Sequence, residues 1–345
     1  MLNHIIKNDI SIILGKLDPN IFEEKGVLVT GGAGFLGSWL CDILVLCGSK
    51  VYCVDNFSTG LQSNIDHLLG LKNFHLIRTE VEEINADLEK FDLVMHFGSR
   101  ASPIDYQNHP VQTLTANSIG TMKTLELARI SNATFLYASS SEVYGNAGTI
   151  PTPEHYWGKV NPIGSRSCYD EGKRFGEALC TAYHKQHGVD ARIARIFNTY
   201  GPRLREEGGY GRAISRFIAQ APKGEDITVY GDGSQTRSFC YVTDTILGIL
   251  KLATSHKTRG ETINIGNPLE TRIIDLAHLV KKLTNSNSKI TFHPLPPDDP
   301  KRRCPDITKA KRLLNWQPEI PLEEGLNETI EWFKLKLGLW RLHEH

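Results

Sequence analysis

Tyr169 and Lys173 are the residues of this sequence whose types and spacing most clearly suggest catalysis. The pattern around them predicts a helix over about 167–187, and positions i and i+4 of a helix lie on one face, so both side chains can point at one ligand. A free tyrosine has a pKa of roughly 10, too high for a general base at neutral pH, and a nearby ammonium group lowers it. The pair therefore predicts a tyrosine that takes a proton from a hydroxyl group. The alternative is a surface pair that occurs by chance.

A second group of reactive side chains comes at the end of a predicted strand over 134–139. Ser140, Ser141 and Glu142 follow this strand directly. Ligands of open α/β sheets bind beyond the carboxyl ends of the strands. Hydroxyl groups there can bind a substrate oxygen as it becomes a ketone, and a carboxylate can act as an acid or base or orient a water molecule. The alternative for Glu142 is a loop acid that caps a helix.

A glycine-rich turn near the start of the chain predicts a dinucleotide site. The apolar run 27–29 is typical of a buried parallel strand, and Gly31, Gly34 and Gly37 follow at spacings of three before a predicted helix. Glycine allows the sharp turn and lets backbone N–H groups approach a pyrophosphate, and the helix N-terminus adds further donors. The alternative is a merely tight strand–helix turn.

Asp55 predicts which dinucleotide is bound. It ends the next strand, eighteen positions beyond Gly37, close to the distance expected for the carboxylate that binds the adenosine ribose. A carboxylate there repels a 2′-phosphate, and Asn56 rather than an arginine follows it. NAD is therefore favoured over NADP, with a helix-capping or turn acid as the alternative reading of Asp55.

The remaining pattern predicts an α/β fold, a Rossmann-type doubly wound parallel sheet with a smaller C-terminal α/β substrate lobe. Further strands are expected at 74–78, 93–97 and 191–197, with a helical stretch over about 110–131. His96, at a strand end, is expected to be a packed and hydrogen-bonded histidine rather than a catalytic one. The predicted units are an N-terminal helical extension over 1–24, an NAD-binding domain over 25–202 plus 240–266, and a nucleotide-sugar lobe over 203–239 plus 267–337.

Composition excludes several classes of protein. Lys+Arg and Asp+Glu both total 39 in 345 residues, so the formal net charge is zero and neither nucleic acid nor a membrane is expected as a partner. The seven cysteines are scattered without a C-x-x-C pair, which argues against a disulfide framework and a zinc site, and no metal is expected. No apolar run is long enough to span a membrane and the N-terminus lacks a signal-peptide pattern, so a cytoplasmic protein is expected.

The motifs at 31–37, 140–145 and 169–173 together resemble the extended short-chain dehydrogenases/reductases that act on nucleotide sugars. Within that family the chain is most similar to the UDP-glucuronate decarboxylases, also called UDP-xylose synthases, from about residue 26 to 332. The segments that carry this closer resemblance are 55–60, 101–103, 161–164, 166–174, 192–203, 229–239 and 296–303.

The resemblance implies oxidation of the sugar C4 by NAD, loss of CO₂ from the resulting β-keto acid, and return of hydride to C4, so that NAD is regenerated in the site. It implies that Tyr169 is the base, assisted by Lys173, that Ser140 and Ser141 bind the C4 oxygen, that Glu142 assists at C5 and that Arg303 reaches the substrate carboxylate. The residues it assigns to the UDP-sugar are Ser140, Tyr169, Asn198, Arg237, Tyr241 and Arg303. Those it assigns to NAD are Gly31, Gly34, Phe35, Leu36, Gly37, Asp55, Asn56, Phe57, Ser58, Thr59, Gly60, Glu80, Val81, Tyr169, Lys173, Thr199 and Arg212. A homodimer formed through the helices near 110–130 and 167–187 is also implied.

The sequence departs from the family pattern at a few positions. Ser140 and Glu80 stand where threonine and aspartate are usual, and Ser165 replaces a proline. Arg100 is an added cation expected close to the nicotinamide or the substrate. The alternative reading of Arg303 and the two basic residues before it is a solvated basic turn.

Three other functions remain as alternatives. A UDP-sugar 4-epimerase, such as one acting on UDP-glucuronate, needs the tyrosine, the lysine and the hydroxyls but usually lacks a glutamate at position 142. A nucleotide-sugar 4,6-dehydratase usually has an aspartate where Ser141 stands. A non-catalytic NAD-binding regulator would be expected to have lost Tyr169 or Lys173.

Overall fold

The computed structural model describes residues 3–85, 89–206, 212–296 and 298–338. The strands are β1 Gly26–Thr30, β2 Lys50–Val54, β3 Phe74–Ile77, β4 Leu93–His96, β5 Thr134–Ser140, β6 Asp190–Ile196, β7 Thr199–Tyr200, β8 Ile227–Tyr230, β9 Thr236–Ser238, β10 Cys240–Tyr241, β11 Thr262–Ile265, β12 Glu270–Arg272 and β13 Ile290–His293. The α-helices are α1 His4–Leu14, α2 Phe35–Leu46, α3 Pro103–Asn108, α4 Pro110–Thr115, α5 Thr121–Ser131, α6 Ser167–His187, α7 Ala213–Gln220, α8 Val242–Thr254, α9 Ile273–Leu283, α10 Thr308–Leu314 and α11 Leu322–Leu337. Short 3₁₀ helices lie at Pro19–Phe22, Gln62–Asn64, Asp66–Leu68, Val81–Glu83, Ser141–Tyr144, Ala221–Lys223 and His256–Thr258, and a π-helical turn at Ala116–Gly120.

A seven-stranded parallel sheet forms the centre of the molecule. Its strand order is β11-β6-β5-β4-β1-β2-β3. Strands β2 and β3 lie on one side of β1, and the later strands lie on the other side. The middle strands are fully buried on both faces, as the continuous apolar run 27–29 predicts. The predicted Rossmann-type α/β fold is therefore confirmed, and the carboxyl ends of β1, β4, β5 and β6 meet along one edge.

Helix α6 packs very close to strand β5. A Cβ atom on Gly176 would lie 2.1 Å from the Tyr137 hydroxyl oxygen, so only glycine allows this approach. The predicted bounds 167–187 agree with this helix. The helical stretch predicted over 110–131 is instead two α-helices joined by the π-helical turn at Ala116–Gly120.

The smaller part of the molecule is built from short strand pairs and helices. Strand β8 pairs in parallel with β13, and β9 pairs antiparallel with β12. Helices α7, α9 and α11 pack against one another there. The backbone of residues 301–303 hydrogen-bonds to β9, because the N–H groups of Thr236 and Ser238 donate to Lys301 and Arg303. These two hydrogen bonds hold the segment that carries Arg303 beside β9.

The first helix, α1, is part of the folded body. Its apolar face, which includes Ile5, Ile10 and Ile13, is buried against α2 and α8. Asp9 on the same face is also buried and accepts a hydrogen bond of 2.8 Å from the Tyr241 hydroxyl group. Burial raises the pKa of Asp9 to about 7, although the Tyr241 hydrogen bond acts in the opposite direction and Glu328 adds repulsion.

Candidate active site

A cavity of about 320 Å³ lies beyond the carboxyl ends of the central strands. It extends from the glycine turn to the segment that carries Arg303. A smaller cavity of about 80 Å³ adjoins it beside Asp55. The site residues that line the large cavity are Gly31, Gly34, Phe35, Leu36, Gly37, Thr59, Ser140, Ser141, Glu142, Tyr169, Lys173, Asn198, Thr199, Arg212, Arg237 and Arg303.

The glycine turn has the geometry of a pyrophosphate site. A Cβ atom on Gly37 would lie 2.0 Å from the Gly31 carbonyl oxygen, so the first turn of α2 fits against β1 only with glycine there. Gly34 is the N-cap of α2 and has no side chain to cap it, so the N–H groups of the first turn are free to bind an anion. The backbone of this turn therefore fits the pyrophosphate group of a dinucleotide.

Asp55 closes the smaller cavity. Its carboxylate accepts hydrogen bonds from the backbone N–H groups of Ala33, at 2.9 Å, and Phe57, at 2.8 Å. Burial raises the pKa of Asp55 from its ordinary value, and the two backbone hydrogen bonds lower it. The Gly60 backbone lies against the same carboxylate, where a Cβ atom would come within 2.8 Å. The carboxylate is therefore fixed in place before any ribose hydroxyl reaches it.

Most of the other residues predicted to bind the adenosine part are also brought to the smaller cavity. Asn56, Ser58, Thr59, Glu80 and Val81 line it. The Asn56 amide donates to the Glu80 carboxylate at 2.6 Å, and the Phe57 ring lies under the Arg78 guanidinium group instead of on the cavity wall. Arg100 lines this smaller cavity too. It does not line the large cavity that holds Tyr169, so it is not where the sequence places it, beside the nicotinamide or substrate.

Tyr169 and Lys173 point from α6 into the large cavity. The Lys173 Nζ atom lies 5.7 Å from the centre of the Tyr169 ring and donates to the Ala138 carbonyl oxygen at 2.8 Å. Burial lowers the pKa of Lys173 to about 7. The Tyr169 ring stacks on Tyr106 of α3, with ring centres 5.1 Å apart and planes 11° apart.

The pKa of Tyr169 differs from the sequence expectation. Burial raises it to about 12, and a hydrogen bond with Ser140 only partly reverses this effect. Lys173 donates to the backbone of β5 rather than to Tyr169, and its own charge is weakened by burial. Tyr169 therefore needs a further positive charge in the cavity before it can act as a base at neutral pH.

Glu142 lies between two guanidinium groups. Arg303 binds it through two hydrogen bonds, of 2.5 and 2.7 Å, and Arg166 binds Oε2 at 2.7 Å. Burial alone would raise the pKa of Glu142, but the two arginines hold it at about 2. Glu142 is therefore a carboxylate at every physiological pH. It cannot donate a proton in this arrangement.

Asp299 extends this group of charges. It binds the Arg237 guanidinium at 2.7 Å and lies 4.0 Å from Arg166. Glu142, Arg166, Arg237, Asp299 and Arg303 are called the sugar-end cluster below. All five line the large cavity. The cluster contains three guanidinium groups and two carboxylates, so it carries one positive charge in excess.

Tyr241 is the predicted substrate residue that the structure does not bring to this cavity. Its ring is buried between Tyr200 and α11, and its hydroxyl group donates to Asp9 of α1. The expectation of a contact between Tyr241 and UDP is therefore not met. The sequence pattern of α1 predicts an amphipathic helix. It does not predict that the Asp9 carboxylate of this helix binds the Tyr241 hydroxyl group.

His96 has the structural role that the sequence predicts. Its ring is buried, with Nδ1 2.7 Å from the Thr30 hydroxyl and Nε2 3.1 Å from the Thr121 hydroxyl. Burial, and to a lesser degree the Lys173 charge, lowers its pKa to about 3. The ring is therefore neutral and links β1, β4 and α5.

Three residues of the site were missed as functional residues in the sequence analysis. Arg166 and Asp299 belong to the sugar-end cluster, and Tyr106 stacks on Tyr169. Arg166 is the N-cap of α6, three positions before Tyr169, so helical spacing could have placed both on one face. No local signal pairs Asp299 or Tyr106 with residues so distant in the chain.

Among the described residues, no group of three or more His, Cys, Asp or Glu side chains could hold a metal ion. All seven cysteines are buried free thiols. In the described part of the chain, no helix combines the length and the apolar character needed to cross a membrane.

Comparison with known proteins identifies the family. The family model described as GDP-mannose 4,6 dehydratase matches residues 28–329. The chain is 49% identical over 315 residues to UDP-glucuronic acid decarboxylase 1 of Xenopus tropicalis, which covers 91% of this chain and 73% of that protein. It is 48% identical over 314 residues to UDP-glucuronic acid decarboxylase 5 of Arabidopsis thaliana, covering 91% and 90%.

Solved structures of the same fold are also similar. UDP-glucuronic acid 4-epimerase from Bacillus cereus, in complex with UDP-glucuronic acid and NAD, superposes with a TM-score of 0.82 at 30% identity, covering 90% of this chain and 99% of that one. UDP-glucose 4-epimerase from Thermotoga maritima, with UDP-glucose, has a TM-score of 0.83 at 30% identity, with the same coverage. The chain therefore belongs to the GDP-mannose 4,6 dehydratase family of extended short-chain dehydrogenases/reductases.

Proposed function

We propose that the protein is an NAD-dependent UDP-glucuronate decarboxylase that forms UDP-xylose through a 4-keto intermediate. The observation that carries the proposal is the position of Arg303. Its guanidinium group lies on the wall of the cavity that contains Tyr169, and its Nε–H group is buried without an acceptor among the described residues. A guanidinium group in such a place suits a sugar carboxylate. The decarboxylase relatives at 48–49% identity support the same assignment.

NAD is the cofactor of this reaction. When bound, it supplies the hydride acceptor and donor for the sugar C4 and a positive ring near Tyr169. Gly31, Gly37 and the first turn of α2 hold its pyrophosphate, and Asp55 binds the adenosine ribose. Most of the remaining cofactor residues predicted from the sequence line these two cavities; Phe57 and Gly60 line neither.

The chain's own residues handle the sugar as follows. Tyr169 takes the proton from the C4 hydroxyl group, while Ser140 and Ser141 bind the C4 oxygen as it becomes a ketone. Lys173 stays fixed to the Ala138 carbonyl oxygen and favours the ionised form of Tyr169 when it is protonated. Because the acid is then a β-keto acid, the bond to CO₂ breaks with its electrons moving into the carbonyl group. The hydroxyls that bind the C4 oxygen stabilise the resulting enolate, which takes a proton from solvent at C5 to give the 4-keto pentose. When hydride returns to C4, Tyr169 gives its proton back to the C4 oxygen.

Several finer assignments belong to the same proposal. Asn198 and Arg237, which line the large cavity, bind the UDP part, and Arg212 helps to hold the nucleotides. The chain divides into the extension, NAD-binding domain and substrate lobe predicted from the sequence. A cytoplasmic location fits the seven cysteines, which are all free thiols.

A homodimer is supported by an apolar surface. Val111 of α4, Met122 and Ile130 of α5 and Phe175 of α6 are all exposed. These helices pack side by side, so the residues can form one continuous apolar face. We expect sedimentation of the protein to give the mass of two chains. Replacement of Val111 and Phe175 by glutamate should give one chain, and a monomeric native protein would contradict the proposal.

The runner-up function is 4-epimerisation of UDP-glucuronate, since the solved epimerase with that ligand has the same fold. One experiment separates the two. The protein is incubated with UDP-glucuronate and catalytic NAD, and the sugar is followed by proton NMR. UDP-xylose with CO₂ is expected, whereas UDP-galacturonate would assign the epimerase reaction, and release of a 4-keto pentose would show that hydride does not return to C4.

A further inference from the structure

Arg166 contacts Glu142 independently of Arg303. Its Nη2 atom lies 2.7 Å from Glu142 Oε2, whereas Arg303 uses two nitrogens on both carboxylate oxygens. Arg166 is held by neighbours of its own. Its guanidinium carbon lies 6.0 Å from the centre of the Tyr106 ring, Asp299 lies 4.0 Å away, and the residue is buried at the start of α6.

The sugar-end cluster has a consequence for binding an acidic sugar. Glu142 and a sugar carboxylate are both anions, and Arg303 lies where it can bind either one. If Arg303 were the only partner of Glu142, each substrate carboxylate would have to compete with Glu142 for the same guanidinium group. Leaving Glu142 buried without a cation would be strongly unfavourable, as it is for other buried ion pairs that lose one partner.

We propose that Arg166 is a positioning residue that keeps Glu142 ionised and oriented while Arg303 engages the carboxylate of the sugar, and so makes the site selective for acidic over neutral sugars. The proposal rests on the proposed function, because it concerns how the same site receives UDP-glucuronate.

Other charged groups face Glu142 and do not replace Arg166. Asp170 of α6 is buried and its Oδ1 atom has no hydrogen-bond partner among the described residues. Burial, with repulsion from Glu142, raises the pKa of Asp170 to about 8, so its carboxyl group takes a proton far more readily than that of Glu142. Tyr106 of α3 and Tyr169 are neutral phenols, and the Arg237 charge is shared with Asp299.

The test compares Arg166→Gln and Arg166→Lys with the wild-type protein. Arg272→Gln is the matched control, since it removes an exposed arginine that pairs with the neighbouring Asp275 of α9 and does not line the large cavity. Bound NAD and thermal melting show whether each variant is folded. The measurements are KM and kcat for UDP-glucuronate between pH 5 and 9, and the inhibition constant of UDP-xylose, which has no carboxylate.

In Arg166→Gln, we expect KM for UDP-glucuronate to rise about tenfold or more, while the inhibition constant of UDP-xylose changes less than threefold. The acid limb of kcat should move up by at least one pH unit, since Glu142 then has one cation fewer. Arg166→Lys should recover most of both effects, because a single N–H donor is enough for Oε2. Arg272→Gln should match the wild type.

Three results would overturn the proposal. The first is an unchanged KM for UDP-glucuronate in Arg166→Gln. The second is an equal weakening of UDP-glucuronate and UDP-xylose binding in that variant. The third is a loss of activity at every pH that Arg166→Lys does not recover, because such a loss would indicate a structural role. The products of the wild-type protein test the proposed function separately. A wild type that forms UDP-xylose with no selective effect in Arg166→Gln refutes the role of Arg166 alone.

Discussion

Glu142 in the sugar-end cluster and Asp9 in α1 are both buried carboxyl groups, yet their surroundings act in opposite directions. Two guanidinium groups hold the pKa of Glu142 at about 2, whereas burial raises that of Asp9 to about 7 with only the Tyr241 hydroxyl group as a partner. Burial disfavours the charge at both places. The neighbours, and not the depth, therefore determine whether a buried acid in this protein is a fixed charge or a titrating group.

Each of these acids lies in a region with a buried tyrosine, so the comparison can be tested with matched substitutions. Tyr169 lies in the candidate active site, and Tyr241 lies where α1 packs against the rest of the protein. The chemistry should depend on the first region and the stability on the second.

The largest effect is expected for Tyr169→Phe. Loss of the hydroxyl group removes the proposed base, and we expect turnover of UDP-glucuronate to fall by about 10³-fold or more, with NAD still bound. The measurement is UDP-xylose formation together with the NAD content of the purified protein. Tyr106→Phe is the matched control. It removes a hydroxyl group from the ring that stacks on Tyr169, and this hydroxyl has no hydrogen-bond partner among the described residues. Turnover of Tyr169→Phe within tenfold of the wild type would remove Tyr169 as the base.

Glu142→Gln should combine loss of activity with loss of stability. It leaves Arg166 and Arg303 without their shared carboxylate, and we expect the free energy of unfolding at pH 7 to fall by about 3 kcal/mol. Activity should fall about 10²-fold, because Arg303 loses the carboxylate that orients it, and UDP-xylose formation measures this loss. The difference in melting temperature from wild type should shrink as pH falls from about 4.5 to 2, because Glu142 then loses its charge in the wild type as well. A difference that is constant over this range would contradict the ion-pair assignment.

Tyr241→Phe should act on stability alone. It removes the hydrogen bond to buried Asp9, and we expect a loss of about 1–3 kcal/mol in the free energy of unfolding by denaturant titration. The turnover number should stay within about twofold of the wild type, since Tyr241 does not line the cavity. A large loss of affinity for the UDP-sugar would instead restore Tyr241 as a substrate contact.

Asp9→Asn should have the smallest effect on turnover, and its effect on stability should be opposite in sign to that of Glu142→Gln. Between about pH 4 and 7 the folded wild type keeps a proton on Asp9 that the unfolded chain has released, so its stability falls as pH rises through that window. The amide can still accept the Tyr241 hydrogen bond but does not titrate. We expect Asp9→Asn to melt about 2 °C or more above the wild type at pH 8 and at the same temperature near pH 4. A variant less stable than wild type at pH 8 would show that Asp9 is held as a favourable anion.

The sequence predicted the parts of this molecule that depend on local patterns. The strand before Gly31, the helix over 167–187 and the shared face of Tyr169 and Lys173 follow from periodicity and spacing. Glu142 and Arg303 were each predicted in the site, but their direct contact joins positions 161 apart, and no local rule gives it.

Two other expectations depended on tertiary structure in the same way. The high pKa of Tyr169 follows from its burial, which the hydrogen bond with Ser140 offsets only in part. The position of Tyr241 follows from α1, whose packing partners the sequence pattern does not name.

The contact proposed between Arg303 and the sugar carboxylate also affects how the reaction ends. In the proposed reaction this carboxylate is the group that leaves as CO₂, so its attraction to the guanidinium group disappears in the step that makes the product. UDP-xylose keeps its contacts through the C4 oxygen and the nucleotide but lacks this ionic one. The site therefore favours the next UDP-glucuronate over the product just formed.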